Sequence, residues 1–193
     1  MAMASAFEMN RLAFIIFVYV IAAIPFGRCI SACFGVDICT RGSGNIGATN
    51  MTRVMGLGFG SVVFMLDFLK AAAPVFLAVQ CCSDVFASTV GFVAVFAHVF
   101  SVYMAFKGGK GVAPMMGVYF VLVLPVFIVA VCTWGIFFVL FRQPFISSLI
   151  ACFIGAVYSY ALLELYVFLP ILAGTVLIFI RHTSNVREFL QAR

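Results

Sequence analysis

The amino-acid sequence predicts an all-α integral membrane protein with seven transmembrane helices. Of its 193 residues, 66% are hydrophobic and only 9% are charged, and the mean hydropathy is +1.26. Soluble domains carry about 25% charged residues, so this chain has too little polar surface to cover a water-soluble globule. Runs such as LAFIIFVYVIAAI are apolar on every face, which favours helices over the alternating pattern of a membrane β-barrel.

Charged residues divide the chain into apolar stretches that are candidates for membrane helices. In chain order they are 12–27, 54–83, 85–106, 111–141, 143–163 and 165–180. A helical crossing takes about 20 residues, so every stretch except 111–141 predicts one helix. The first stretch also has the position of a secretory signal, but more membrane sequence follows it, which favours a retained first helix.

The stretch 111–141 is too long for one untilted crossing and rather short for two. Pro125 lies near its middle, where a turn between two helices would fall. Two helices in this stretch bring the total to seven. The whole chain, 1–193, is then expected to form a single membrane domain with its polar loops on one side.

Charge favours this division and orients the chain. With seven helices one side collects Arg28, Arg41, Arg53, Lys107, Lys110, Arg142, Arg181, Arg187 and Arg193. The other side keeps Arg11 and the acidic residues Glu8, Asp84 and Glu164, while Lys70 is buried in a helix. By the positive-inside rule the side that is rich in basic residues is cytoplasmic. This predicts the N-terminus outside and the C-terminus in the cytoplasm.

Three ionisable residues fall inside apolar stretches. Asp67 and Lys70 are three apart in the second stretch, and each is costly facing lipid. We expect them either to form a structural ion pair or to line a wet cavity that reaches the cytoplasmic loops. His98 lies in the third stretch, where a packing role is more common than a catalytic one.

The polar sequence is concentrated in three segments on the predicted cytoplasmic side. GSGNIGATN combines glycines with amide and hydroxyl side chains, a composition that suits an anion. KGGKG lets ammonium groups and backbone N–H groups surround a phosphate. In RHTSNV, His182 and Asn185 share a face if the helix continues. Taken singly, the segments also fit a flexible connector, a positive-inside anchor and an interfacial helix end; together they indicate a phosphorylated substrate.

Several kinds of chemistry are disfavoured. The chain has seven cysteines without a Cys-x-x-Cys pair and two histidines, so neither a zinc site nor a disulfide framework is indicated. No Ser-His-Asp order or acidic cluster points to a hydrolase triad or a magnesium-dependent phosphotransferase. We expect no metal, no cofactor and no nucleic-acid partner.

The segments GSGNIGATNMTR, HVFSVYMAFKGGKGVA and RHTSNV, with DFLK before them, resemble the bacterial acyl-phosphate:glycerol-3-phosphate acyltransferases, the PlsY family. The resemblance covers most of the chain. It implies a protein of the bacterial cytoplasmic (inner) membrane that serves phospholipid biosynthesis. The implied reaction moves an acyl group from acyl phosphate to the 1-hydroxyl of glycerol 3-phosphate, giving lysophosphatidic acid and inorganic phosphate, without acyl-CoA, acyl carrier protein or divalent metal.

The resemblance also implies site residues. Substrate binding is expected of Ser43, Asn45, Thr49, Asn50, Arg53, Lys70, Lys107, Gly108 and Gly109. Catalytic roles are expected of Lys110, Ser148, His182 and Asn185, with Lys110 at the centre. His182 is the ordinary candidate for the general base, but a substrate phosphate can take the proton instead.

The chain departs from the usual pattern of that family at several positions. Ala71 and Ala97 stand in place of glycines, Ser101 in place of a proline, Pro114 of a threonine and Phe145 of a serine. The segment DICTRG before the first motif is altered as well. A competing interpretation is a small transporter or flippase for a phosphorylated solute, but such a protein needs access from both faces, and the sequence shows no repeated half.

Overall fold

The computed structural model describes residues 10–191, which fold into ten α-helices and one 3₁₀ turn. The helices are α1 (Arg11–Ala22), α2 (Phe26–Cys33), α3 (Ala48–Met55), α4 (Leu57–Cys81), α5 (Asp84–Val99), α6 (Val112–Leu122), α7 (Leu124–Phe141), α8 (Pro144–Leu162), α9 (Leu165–Arg181) and α10 (Thr183–Gln191). The 3₁₀ turn, Val102–Met104, follows α5. The described part of the chain contains no β-strand, which confirms the predicted all-α class.

Six segments of the described chain are long and apolar enough to cross a bilayer. They are Arg11–Cys33, Leu57–Cys81, Asp84–Met104, Leu124–Phe141, Pro144–Leu162 and Leu165–Gln191. Helix α6 is apolar too, but its 11 residues are fewer than a straight crossing takes. Seven crossings and the orientation of the termini therefore stay predictions. Glu8 and Arg193, two of the charges behind that orientation, lie outside the described residues.

The stretch 111–141 divides into two helices, as predicted, and the break falls at Val123. This residue leaves the helical conformation, with φ −149° and ψ 77°. Pro125 lies in the first turn of α7, where its missing N–H costs no helical hydrogen bond. Val112 at the start of α6 and Gln143 just beyond α7 line the same cavity. The chain therefore turns back on itself between α6 and α7.

The first apolar stretch, 12–27, forms α1 and the first two residues of a second helix, α2, where one helix was predicted. Pro25 lacks an N–H and its ring would clash with a helical carbonyl one turn earlier. Helix α1 accordingly ends at Ala22, and α2 begins at Phe26. The interruption exposes backbone carbonyl groups inside an apolar region, where they need other partners.

Two side chains from elsewhere in the chain, one after α5 and one on α4, supply these partners. The hydroxyl of Ser101 donates to the carbonyl of Ala23 at 2.5 Å, and Lys70 Nζ donates to the carbonyl of Ile24 at 2.9 Å. Ser101 is completely buried. Ser101, which stands where the family usually has a proline, thus donates a hydrogen bond to a carbonyl group left free by the break between α1 and α2.

The predicted pairing of the intramembrane charges is confirmed. Lys70 Nζ lies 2.8 Å from Asp67 Oδ1, and both side chains are almost completely buried. His98 Nδ1 lies 3.6 Å from the same carboxylate oxygen. The ammonium group also lies 5.6 Å from the centre of the Phe26 ring. The ion pair consequently links α2, α4 and α5.

The other four residues that depart from the usual family pattern fit the packing of the helices. Ala71 and Ala97 are completely buried, and Pro114 lies in the first turn of α6, where proline is tolerated. The ring of Phe145 packs edge-on against Phe189, with 5.6 Å between centroids. None of the four changes leaves an unfilled position in the described structure.

The helices arrange their connectors in two groups. The three motif segments meet at one end, while the opposite end has short connectors at 82–83, 123 and 163–164. Arg11, at the start of α1, lies at this opposite end, with its guanidinium 5.4 Å from the ring of Phe86. The arrangement matches the predicted separation of the motif loops from the start of the first helix.

The turn at Val123 predicts the sidedness of two exposed residues. In a variant without the seven native cysteines, a cysteine at Arg142 should react with an impermeant maleimide only after the cells are opened. A cysteine at Glu164 should react in cells whose outer membrane alone is permeabilised. Labelling of position 142 from outside would mean that α6 and α7 together make one crossing, since the two faces are separated by about 30 Å of hydrocarbon.

Candidate active site

Two adjoining cavities lie where the three polar segments meet. The first, the aromatic cavity, has a volume of about 390 Å³ and is walled by Phe64, Trp134, Phe145 and Phe189. The second, the cationic cavity, has a volume of about 550 Å³ and contains Arg28, Lys107 and Arg181. The residues common to both linings are Ser43, Asn45, Lys110, Asn185 and Glu188. These five mark the junction of the cavities.

The loop of the first motif folds around the side chain of Asn50, which is 2% exposed. Its Nδ2 donates to the carbonyls of Ile38, Arg41 and Asn45, at 3.3, 3.0 and 2.9 Å. Its Oδ1 accepts the N–H of Ser43 at 2.8 Å. Because the donors and the acceptor are engaged, Asn50 shapes the loop rather than offering a free group to a ligand.

Glycine is required beside this amide. Gly42 has a φ of +59°, and a Cβ built on it would lie 2.2 Å from Asn50 Oδ1. Helix α3 begins six residues later, at Ala48, and presents Thr49 and Arg53 to the aromatic cavity. These two are four apart, so they share one helical face. The first motif therefore delivers a hydroxyl and a guanidinium to the cavity wall.

The second motif lies against the end of α5. The N–H groups of Gly108 and Gly109 donate to the carbonyls of Val99 and His98, each at 3.0 Å. A Cβ built on Gly109 would lie 2.1 Å from His98 Nε2. The glycines thus permit close packing, and their N–H groups are occupied by the protein. The expected donation of these two N–H groups to a phosphate does not occur in this arrangement.

Lys110 stands at the junction of the cavities. Its ammonium group donates to Asn185 Oδ1, which joins the second motif to the third. Burial is the main reason why the pKa of Lys110 falls to about 8. Glu188 opposes this fall, while Arg181 and Arg53 add to it. A lysine that already lies among cations is well placed to bind an anion.

His182 caps α9 with a defined ring orientation. Its Nδ1 lies 2.8 Å from the carbonyl oxygen of Ile178, and the side chain is 3% exposed. A carbonyl can only accept, so the proton lies on Nδ1 and the neutral ring keeps its lone pair on Nε2. The ring lines the aromatic cavity. His182 can therefore accept a proton or a hydrogen bond there.

Ser148 lines the aromatic cavity from the first turns of α8. Its hydroxyl donates to the carbonyl of Pro144 at 2.8 Å and accepts the indole N–H of Trp134 at 3.1 Å. The hydroxyl hydrogen is thus engaged by a backbone carbonyl, and the expected catalytic role of Ser148 stays a prediction. It fixes the Trp134 ring in the cavity wall.

Most of the residues predicted from the sequence meet at this site. The aromatic cavity is lined by Ser43, Asn45, Thr49, Asn50, Arg53, Lys110, Ser148, His182 and Asn185. The cationic cavity adds Lys107 and Gly108. Gly109 and Lys70 line neither cavity. The expected substrate-binding role of Lys70 stays a prediction; in this structure its ammonium is held by Asp67 and by the Ile24 carbonyl.

Several lining residues were not singled out in the sequence. The sequence marks Arg181 only as a charge that orients the chain, whereas in the structure its Nη2 donates to the carbonyl of Gly108 at 3.1 Å. Its position directly before His182 was a usable signal. Gln143, a polar residue at the start of α8, was another. The aromatic residues gave no signal, because they look like the rest of the apolar sequence.

The junction can bring two anions together beside an apolar surface. Lys110 and Arg53 supply positive charge to the aromatic cavity, and three further cations lie in the cationic cavity. Among residues 10–191 no group of three or more His, Cys, Asp or Glu side chains is placed to hold a metal.

The family model described as glycerol-3-phosphate acyltransferase matches residues 12–192. A glycerol-3-phosphate acyltransferase of Wolbachia pipientis subsp. Culex pipiens is 34% identical over 187 residues, covering 96% of this chain and 97% of the relative. One from Aquifex aeolicus is 35% identical over 191 residues, covering 96% of this chain and 98% of the relative.

Two solved structures share the fold over nearly the whole chain. Both are crystal structures of PlsY, described as an integral membrane glycerol 3-phosphate acyltransferase. The glycerol 3-phosphate form has a TM-score of 0.92 at 33% identity, covering 95% of this chain and 94% of the other. The lysophosphatidic acid form has a TM-score of 0.89, with 95% and 93% covered. The chain is thus an integral membrane protein that belongs to the glycerol-3-phosphate acyltransferase family, PlsY.

Proposed function

We propose that this protein transfers an acyl group from acyl phosphate to the 1-hydroxyl of glycerol 3-phosphate. The products are lysophosphatidic acid and inorganic phosphate. The observation that carries the proposal is the junction at Lys110, where an aromatic cavity meets a cationic one. Forms of the related PlsY with glycerol 3-phosphate and with lysophosphatidic acid support the acceptor and the product.

The aromatic cavity suits the acyl donor. Its wall includes Phe64 and Trp134, whose apolar side chains are 37% and 36% exposed. An acyl chain can therefore lie partly in the bilayer while its phosphate approaches Lys110 and Arg53. A soluble carrier such as acyl-CoA or acyl carrier protein is not needed to deliver such a chain, so we propose that neither takes part.

The reaction requires one bond to form and one to break. The glycerol 1-hydroxyl oxygen attacks the acyl carbonyl carbon, and the bond between that carbon and the phosphate oxygen breaks as phosphate leaves with the electron pair. Lys110 can stabilise the negative charge on the carbonyl oxygen or on the departing phosphate. Holding both substrates at the junction makes the larger contribution to lowering the activation barrier, because the entropy of bringing them together is already lost on binding.

Two groups can take the proton of the attacking hydroxyl. His182 Nε2 carries the lone pair, because Nδ1 bonds the Ile178 carbonyl. A phosphate oxygen of either substrate is the alternative base. In both schemes Asn185 keeps the Lys110 ammonium directed toward the junction. Thr49, Ser43 and Asn45 supply polar contacts for glycerol or phosphate.

We further propose that the protein acts in the bacterial cytoplasmic membrane, with the junction on the cytoplasmic side. This places the site where soluble glycerol 3-phosphate is available. The transporter alternative loses its support, because the matching family and its relatives are acyltransferases.

The donor is tested with purified protein and labelled glycerol 3-phosphate. Acyl phosphate should give lysophosphatidic acid in the presence of EDTA, whereas acyl-CoA and acyl carrier protein thioesters should give none above background. Product is measured by thin-layer chromatography of the label. Turnover with a thioester donor, or turnover lost in EDTA and restored by magnesium, would contradict the proposed donor or the metal-free reaction.

Replacing Lys110 with glutamine should lower kcat/KM by about a hundredfold or more, the usual loss when a cation or donor that stabilises the transition state is removed. Arg187→Gln is the matched control, because Arg187 is an exposed cation of α10 that lines neither cavity. It should retain near-normal activity. Equal activity of wild type and Lys110→Gln would exclude Lys110 from the reaction.

The lowered pKa of Lys110 predicts a pH dependence. The ammonium is charged below its pKa of about 8 and neutral above it, so kcat/KM should fall by about tenfold per pH unit above that value. An ordinary lysine would stay charged to about pH 10. Spontaneous hydrolysis of acyl phosphate, measured without enzyme, is the control. A profile that stays level to pH 10 would rule out this titration.

A further inference from the structure

Glu188 is a carboxylate in a site otherwise suited to anions. It lines both cavities, as do Lys110 and Asn185. The other carboxylate in the aromatic cavity, Asp67, is paired with Lys70. Within the described residues, Glu188 is therefore the acidic side chain that faces the junction itself.

Helix α10 holds Glu188 at this position through contacts on both sides. Asn185, three residues earlier and on the same helical face, accepts a hydrogen bond from the Lys110 ammonium. Phe189, the next residue, packs edge-on against Phe145 at the start of α8, 5.6 Å between centroids. These contacts fix the helix that carries Glu188 beside the junction, and the exposed Glu188 side chain lies on the same helical face as Asn185.

The charges around the junction make this carboxylate unusual. Cations face it from several elements: Arg53 on α3, Lys110 before α6, and Arg28, Lys107 and Arg181 in the cationic cavity. The Asp37 carboxylate, also in the cationic cavity, accepts the N–H of Cys39 in its own loop at 3.0 Å. Glu188 interacts favourably with Lys110, in agreement with its place in the linings.

We propose that Glu188 is a specificity-determining residue that limits how tightly the site holds phosphate. In the empty site its carboxylate is the counter-charge of Lys110. When a substrate phosphate arrives, the two negative groups compete for the same cations, and each bound phosphate is weakened by the nearby carboxylate. The inference rests on the proposed function, in which inorganic phosphate is a product that has to leave.

The expected consequence follows from Coulomb repulsion alone. Removing one negative charge a few ångström from a bound phosphate dianion should tighten its binding roughly three- to tenfold at low salt. The difference should shrink at high ionic strength, because salt screens exposed charges. Release of phosphate should slow accordingly, so kcat falls if product release limits turnover.

The test compares wild type with Glu188→Gln, Glu188→Ala and Glu188→Asp. Inorganic phosphate is the probe, first by calorimetry without an acyl donor and then as an inhibitor of turnover. We expect both neutral variants to bind phosphate more tightly and Glu188→Asp to resemble wild type. Glu164→Gln removes a charge at the opposite end of the protein and should leave phosphate affinity unchanged.

Unchanged or weaker phosphate binding in the neutral variants would overturn the proposal. A merely structural role would weaken binding, so the direction of the change separates the two. The neutral alanine variant serves the same purpose if the glutamine variant does not purify. If the wild type is active but the neutral variants do not bind phosphate more tightly, only the role of Glu188 is contradicted. If the wild type has no acyltransferase activity, the proposed function itself is contradicted.

Discussion

The buried ion pair of Asp67 and Lys70 is the interaction on which the site depends. Two opposite charges three residues apart in α4 cannot face lipid without a large cost, so they pair at 2.8 Å inside the bundle. The ammonium has donors to spare, and it uses one on the Ile24 carbonyl freed by the proline break. The pair therefore fixes where the interrupted first segment meets α4.

The same carboxylate continues the network toward Lys110. His98 lies 3.6 Å from Asp67, and the carbonyl of His98 receives the N–H of Gly109. The next residue is Lys110, whose ammonium reaches Asn185 on α10. A charge pair buried in the bundle thus supports the position of a cation at the surface of the cavity through two consecutive contacts, Asp67 with His98 and His98 with Gly109. Lys70 contributes to the site by this route without touching it.

The junction has to accept two substrates that prefer different environments, lipid and water. One proposed substrate carries an acyl chain that belongs in lipid, and the other is a soluble dianion. The aromatic cavity is walled by large apolar side chains, two of which, Phe64 and Trp134, are partly exposed, and the cationic cavity is lined by polar loops. Lys110 stands where the two meet. Such a site needs cations to bind its substrates, and it also has to release phosphate. The proposed role of the Glu188 carboxylate, which lies among these cations, is to ease that release.

The sequence by itself determined the helical membrane class, since hydropathy and helix length are local properties, and it identified Lys110, His182 and Asn185 because polar residues stand out in an apolar chain. It also indicated the turn in 111–141. Only the tertiary structure decided that Lys70 supports the site indirectly, without lining either cavity. It also decided that the side-chain amide of Asn50 is fully hydrogen-bonded within its own loop. It alone revealed Arg181 and Glu188 as lining residues. These outcomes depend on contacts such as the one between positions 110 and 185, which helix packing creates and local sequence does not encode.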